Sequence, residues 1–408
     1  MFAMSKGNAV IGQSGGPTSV INQSLVGVVQ ELRKLGHVDQ ILGAKHGVRG
    51  IIEDKYYKLN GASDELLERI AATPAAALGS SRDKPDHAYC EKIFANFAKN
   101  NVRYFFYIGG NDSADTARIV SELAQQANHD LTVFHIPKTI DNDLRVHDHT
   151  PGFGSAARYV TFATIGDDYD NKSLPGIKVN IVMGRNAGFL TAATALARKY
   201  DNDGPHLIYL PEVPVPADKF LADVDRVYSK LGRCLISMSE GVCAPDGITW
   251  SEKLNDRLEA DMHGNIQLSG TGALGDFMSD FIKKNLKTAG GKKLRVRADT
   301  FGYPQRSFFG CVSEVDAIEG RTVGRKAAEY SARSENKAGG SVCMSRKPGS
   351  VYAVEYHLEP LQNVARLTKH MPAEFIKDGN DVTQAFIDYV TPLVGPIPPR
   401  GALEELKG

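Results

Sequence analysis

Val102-Arg103-Tyr104-Phe105-Phe106-Tyr107-Ile108-Gly109-Gly110-Asn111-Asp112-Ser113 reads as an apolar run, a glycine turn and a helix start. The run from Val102 to Ile108 has the character of a strand buried on both faces, and Ala114 to Gln126 is helical. The same order appears earlier. Ala9-Val10-Ile11-Gly12 leads into Gly15-Gly16-Pro17, then into apolar residues at helical spacing (Val20, Ile21, Leu25, Val28, Val29, Leu32), with Gly36 closing the helix. A third strand, Leu131 to Ile136, runs into Pro137-Lys138-Thr139-Ile140-Asp141-Asn142-Asp143. Strands alternating with helices imply a mostly parallel sheet covered on both faces, with ligands beyond the carboxyl ends of the strands. Each of these motifs sits at such an end.

From Ala156 the pattern restarts: a helix to about Asp170, a strand Lys178 to Met183, a helix Gly188 to Lys199 and a strand His206 to Leu210. A helix Ala217 to Leu231 and a strand Cys234 to Met238 follow. The expected fold class is therefore α/β, with two doubly wound, mostly parallel-sheet lobes and the active site in the cleft between them. The boundary near residue 150 falls in the turn-rich Asp148-His149-Thr150-Pro151-Gly152-Phe153-Gly154.

Composition narrows the partners. Forty-eight Lys and Arg balance forty-eight Asp and Glu over 408 residues, so no global field exists to hold nucleic acid or an acidic membrane. Any anion must be held locally. Cys90, Cys234, Cys243, Cys311 and Cys343 are scattered and odd in number, which argues against a disulfide framework and a structural zinc site and for a reducing cytoplasm. No apolar run approaches the roughly eighteen residues of a membrane helix. Met1-Phe2-Ala3-Met4-Ser5-Lys6 leads towards a strand instead of a signal peptide.

Each motif has a plain reading beside a chemical one. Gly15-Gly16-Pro17-Thr18 is a tight turn or an anion cradle of backbone N–H groups. Asn111, Asp112 and Ser113 cap a helix, or meet a metal or phosphate while capping it. In Lys138 to Asp143, an extended backbone would turn Asp141 and Asp143 to the same side. A carboxylate there can take the proton of an attacking hydroxyl, and the accompanying lysine and threonine argue against mere solvated loop acids. Arg185, in Met183-Gly184-Arg185-Asn186-Ala187-Gly188, can bind a phosphate bidentately or bridge surface carboxylates. Glu240 suits sugar hydroxyls, though a turn acid looks identical. Arg295, Arg297, Tyr303 and Arg306 fit a sugar-phosphate clamp better than nucleic acid, and a solvated strand face remains open. Backbone donors, a cation, a base and a metal ligand are together what phosphoryl transfer to a sugar hydroxyl requires.

In their order along the chain these residues resemble the 6-phosphofructokinase superfamily, and within it the pyrophosphate-dependent 6-phosphofructokinases. The resemblance implies an Mg²⁺-dependent glycolytic enzyme that moves a phosphoryl group, reversibly, from pyrophosphate to the C1 hydroxyl of fructose 6-phosphate. Asp141 would be the general base, aided by Lys138 and Asp112. Thr139 and Asp143 would position the sugar, Met183, Gly184 and Arg185 would contact it, Glu240 would bind its hydroxyls, and Tyr303 and Arg306 would hold the 6-phosphate. Gly15 and Arg82 would meet the pyrophosphate, and Asn111 stands at the metal position. Arg297 matches an arginine that reaches a neighbouring subunit's sugar phosphate, which implies a homodimer or homotetramer with shared sites. Residues 1–150 would bind the phosphoryl donor, completed by part of 305–408. Residues 151–304 would bind fructose 6-phosphate, and 305–408 would otherwise form C-terminal helices and a tail.

ATP-using relatives generally carry glycine at the positions of Asp112 and Lys138. A carboxylate about 5 Å from a nucleotide α-phosphate, at an effective dielectric of about 20, costs about 3 kcal/mol, or about a hundredfold against ATP. Lys138 can neutralise the transferring group and the orthophosphate leaving group. The chain departs from the family at Asn111, which replaces a metal-binding aspartate and offers a carbonyl oxygen without charge, leaving Asp112 or water to complete the shell. A second intersubunit arginine is absent, with Gly176 at its spacing and Lys178 the nearest cation. The alternatives are an ATP-dependent 6-phosphofructokinase and a catalytically silent sugar-phosphate-binding regulatory subunit. The base and donor loop are both kept, which argues against the latter.

Overall fold

The computed structural model describes residues 6–83, 85–254, 272–286 and 294–406, so the opening Met1–Ser5 and the final two residues lie outside the described residues. Two sheets carry the fold. The first contains β1 (Asn8–Gln13), β2 (Ile41–Ala44), β3 (Tyr56–Lys58), β4 (Val102–Gly109) and β5 (Thr132–Pro137). The second contains β6 (Ile177–Val182), β7 (Leu207–Tyr209), β8 (Cys234–Ser239) and β9 (Val296–Thr300). The chain then returns to the first sheet with the hairpin β10 (Gly340–Arg346) and β11 (Val354–Glu359). The spatial orders are β11-β10-β5-β4-β1-β2-β3 and β7-β8-β6-β9. Every pairing in the second sheet is parallel, and only the edge strands β3 and β11 run antiparallel in the first. The α/β expectation holds.

The aromatic run of β4 is what a strand buried on both faces needs. Phe106 stacks on Phe134 of β5 on one face, while Phe105 meets Phe97 and Tyr107 on the other. The helix Ile21–Leu35 buries Leu25, Val28, Val29 and Leu32, and ends where Gly36 turns left-handed and its amide bonds the Leu32 carbonyl. That helix packs against Glu314–Ser331 at a glycine crossing. A Cβ on Gly27 would lie 2.3 Å from the Arg321 carbonyl oxygen, and one on Gly324 would lie 2.2 Å from that of Ser24.

Two helices differ from the sequence expectation. The one expected from Ala156 starts at Phe153 and runs to Ser173, because Asp316 caps it by accepting from the amides of Gly152 and Ser155 at 2.8 Å each. The one expected over Gly188–Lys199 is α-helical only from Phe189 to Ala193 and tightens to 3₁₀ over Thr194–Ala197.

In the first sheet the chain moves from β1 to β2 on one side, then crosses to β4 on the other. Such a reversal opens a crevice beyond the carboxyl ends of the two central strands. Gly15-Gly16 follows β1, Gly109-Gly110 ends β4, and Lys138 follows β5; in register, Gln13 pairs with Ile108, and Gly109 with Pro137. The carboxyl ends of the second sheet present Met183 after β6, Glu240 after β8 and Tyr303 shortly after β9.

Candidate active site

The first glycine loop is tied to Lys138. Gly15 takes φ 75°, its amide donates to the Ser81 carbonyl at 2.9 Å, and its carbonyl accepts from the Ser80 hydroxyl at 2.6 Å. This brings the exposed Arg82 to the rim of the loop. Lys138 is buried, and its Nζ donates to the Gly16 carbonyl at 2.7 Å. The same Nζ lies 3.2 Å from where a Gly15 Cβ would stand, so the ammonium fills space that a side chain would take. Loss of hydration, with the charge of Arg306 next, lowers the Lys138 pKa to about 8 against the pull of Asp141 and Asp143.

Arg306 packs against the same loop, with its guanidinium carbon 3.2 Å from a Gly16 Cβ position and 4.8 Å from the centre of the Tyr303 ring. Burial and then the neighbouring Arg82 lower its pKa, while Asp141 and Glu240 oppose them. Expected on the sugar phosphate, Arg306 therefore stands between the donor loop and Asp141, where it feels both lobes.

The carboxylate stretch is not extended. Asn142 is fully buried and left-handed, φ 58°, so the chain reverses between Asp141 and Asp143 where the sequence led us to expect straight alternation. Asparagine is among the few non-glycine residues that take this conformation readily. The amide of Asp141 donates to Thr139 Oγ1 at 3.1 Å, and the Thr139 carbonyl accepts from the Thr150 hydroxyl at 2.9 Å. The carboxyls still share one site. Desolvation raises the Asp141 pKa, opposed by Arg306, Lys138 and Arg185. Asp143 is pushed up to about 7, by desolvation first and the Asp141 charge second, with Lys369 and Thr139 opposing.

Asn111 opens the helix Asn111–Gln126 and donates from Nδ2 to Asp143 Oδ2 at 3.4 Å. Its Oδ1 is buried and has no hydrogen-bond partner among the described residues. A buried carbonyl oxygen left unbonded next to a carboxylate is a hard donor awaiting a cation. No group of three His, Cys, Asp or Glu among the described residues could hold a metal on its own. Asp112, one residue on, is exposed in the first turn of the helix.

On the sugar side, the Met183 amide donates to Gln305 Oε1 at 3.1 Å, and the Gly184 carbonyl accepts from the Ser239 hydroxyl at 2.6 Å. Gly184 sits at φ 130°. Arg185 is exposed, and Glu240 is buried with its amide on the Val182 carbonyl at 3.0 Å. Arg297 lies exposed on the edge strand β9. Lys178 is committed within the chain, to Asp167 at 2.6 Å and Asp299 at 2.9 Å. Sequence reasoning missed Gln305, Lys369 and Tyr389. Only Gln305 had a signal, its place beside Arg306; Lys369 and Tyr389 stand well to either side of the one glycine turn of their stretch, Asp378-Gly379-Asn380, and nothing in the sequence ties them to Asn142.

Residues 8–331 match the family described as Phosphofructokinase. A pyrophosphate--fructose 6-phosphate 1-phosphotransferase of Rhodospirillum rubrum is 52% identical over 393 residues, covering 96% of this chain and 95% of its own. A protein of the same description from Halomonas elongata is 34% identical over 402 residues, covering 96% and 92%. The solved pyrophosphate-dependent phosphofructokinase of Nitrosospira multiformis is similar with a TM-score of 0.83 at 30% identity, over 97% of this chain and 94% of that one.

Proposed function

The chain belongs to the phosphofructokinase family, and from that premise we propose that it transfers a phosphoryl group reversibly between pyrophosphate and the C1 hydroxyl of fructose 6-phosphate. The observation that carries the donor is Lys138, a buried ammonium bonded to the Gly16 carbonyl under the glycine loop. A compact polyanion resting there meets charge directly, and its orthophosphate leaving group keeps that charge. Asp141 takes the C1 hydroxyl proton. Its raised pKa makes it a stronger base than a solvated carboxylate. Arg82 and Gly15 face the donor phosphates, while Met183, Gly184, Arg185, Glu240, Tyr303 and Arg306 receive the sugar phosphate, and Thr139 and Asp143 support the reacting end. Asn111 Oδ1 would hold Mg²⁺, which supplies charge neutralisation on the phosphates when bound.

No described helix is long and apolar enough to cross a membrane. A homo-oligomer in which Arg297 serves a neighbouring subunit from its edge strand fits the exposure of that arginine.

Coupled assays in both directions, at constant fructose 6-phosphate and Mg²⁺, test the donor. Pyrophosphate should support turnover, with ATP poorer by about tenfold or more from charge alone. Strong ATP turnover with none on pyrophosphate would sink this reading.

A pH dependence follows from Lys138. Its ammonium is present below about 8 and lost above it, so kcat/KM for pyrophosphate should fall as pH rises through that value. Lys138→Met should flatten that limb at a lower plateau. A wild-type profile level to pH 10 would remove Lys138 from donor binding.

A further inference from the structure

The left-handed turn at Asn142 is held from outside its own segment. Its Nδ2 donates to the Tyr389 hydroxyl at 2.8 Å, and its Oδ1 accepts from Lys369 Nζ at 3.3 Å. The Lys369 ammonium also donates to the carbonyls of His147 at 3.0 Å and Asp148 at 2.8 Å, so three acceptors match its three protons. It lies 5.0 Å from the centre of the Phe189 ring. The Lys369 amide donates to the Asp143 carbonyl at 2.7 Å, and Thr368 bridges antiparallel to Leu144. Tyr389 completes the frame by donating to the Asp148 carbonyl at 2.8 Å.

The next two residues reach the sugar-side loop. His370 Nδ1 lies 2.9 Å from the Asn186 carbonyl, directly after Arg185. The Met371 amide donates to Glu212 Oε1 at 2.9 Å, and that same oxygen accepts from the Gly188 amide at 2.9 Å. One short segment thus grips the carboxylate turn with its backbone and ammonium, and the acceptor-binding loop with its next two residues.

We infer that Lys369 and Tyr389 are positioning residues for phosphoryl transfer. They fix the Asn142 turn, and with it the direction from which Asp141 meets the acceptor hydroxyl, while segment 368–371 couples that turn to the loop holding the sugar. This rests on the phosphotransferase reading above. Neither side chain needs to touch substrate. A displacement of about 1 Å in a reacting group can cost about a hundredfold in rate, so a support of this kind acts on kcat.

The test uses the full chain, with wild-type turnover on pyrophosphate and fructose 6-phosphate measured first. Lys369→Met should lower kcat by about ten- to a hundredfold, with KM for both substrates within about threefold. Tyr389→Phe deletes one hydroxyl and should lower kcat by about three- to tenfold at unchanged KM; it stands in if Lys369→Met fails to fold. Asn142→Gly keeps the left-handed turn open but removes both amide contacts, so adding Lys369→Met to it should cost less than the product of the two separate losses. Hydrogen exchange over residues 139–145 should quicken in Lys369→Met while the two sheets keep their protection. An unchanged kcat, a loss confined to KM, or losses that simply multiply would overturn the inference. A wild type inactive on pyrophosphate would remove the functional reading alone. The exchange comparison then decides this one, and equal protection in both proteins overturns it.

Discussion

Asp141→Asn should reduce turnover at saturating pyrophosphate and fructose 6-phosphate by about 100- to 10,000-fold, the usual contribution of a positioned general base. The substitution is nearly isosteric, and both side chains can accept from their neighbours, so substrate KM should change little. Stability should hold or rise. Desolvation already disfavours the Asp141 carboxylate, and Arg306, Lys138 and Arg185 only partly repay that cost. A neutral amide avoids the cost, though it leaves three cations with less counter-charge. Initial rates at several pH values and a thermal melt of each protein separate these effects. A mutant retaining more than a tenth of wild-type turnover would move the proton to another acceptor, and Asp143, pushed up to about 7 beside it, would be the first to examine.

What could be read from the chain beforehand follows from how local each signal is. The strand, glycine turn and helix of Val102 to Gln126 are contiguous, so buried character and punctuation alone place Asn111 at a strand end. The same holds for Gly15 and Lys138, and a parallel sheet then brings three such ends together. The turn at Asn142 is different. Its dihedral angle is set by Tyr389 and Lys369, more than two hundred residues away, and no periodicity in residues 138–143 reports on them. Residues 305–408 were expected to form helices and a tail beyond the part that completes the first lobe, yet they include the hairpin of β10 and β11, and nothing local says that it extends the first sheet beside β5 instead of the nearer second one. Arg306 was read as a candidate phosphate ligand. Its stand between Gly16 and Asp141 depends on the short helix Pro304–Ser307, whose Gln305 reaches the Met183 amide.

Asp112→Gly should raise kcat/KM for ATP by about ten- to a hundredfold while leaving pyrophosphate turnover within about an order of magnitude of wild type. The lower bound reflects exposure: Asp112 is exposed in the first turn of its helix, and solvent screens its repulsion of a nucleotide phosphate more than an interior dielectric would. The steric share is not screened, since glycine also frees the volume of the carboxylate. Lys138→Gly should act in the opposite direction on the natural donor. It removes the ammonium bonded under the glycine loop, leaves the Gly16 carbonyl short of a donor at a cost of about 1–3 kcal/mol, and should depress pyrophosphate turnover strongly. The double variant then tests whether the two residues form one device. If Asp112 excludes the nucleotide and Lys138 serves the compact donor, the pair should exchange preference, with ATP turnover exceeding pyrophosphate turnover in the same protein. Should Asp112→Gly leave the ratio of the two donors where it was, discrimination must come from elsewhere on the loop, and Arg82 with Ser80 and Ser81, tied to Gly15 by two hydrogen bonds, would be the place to cut next.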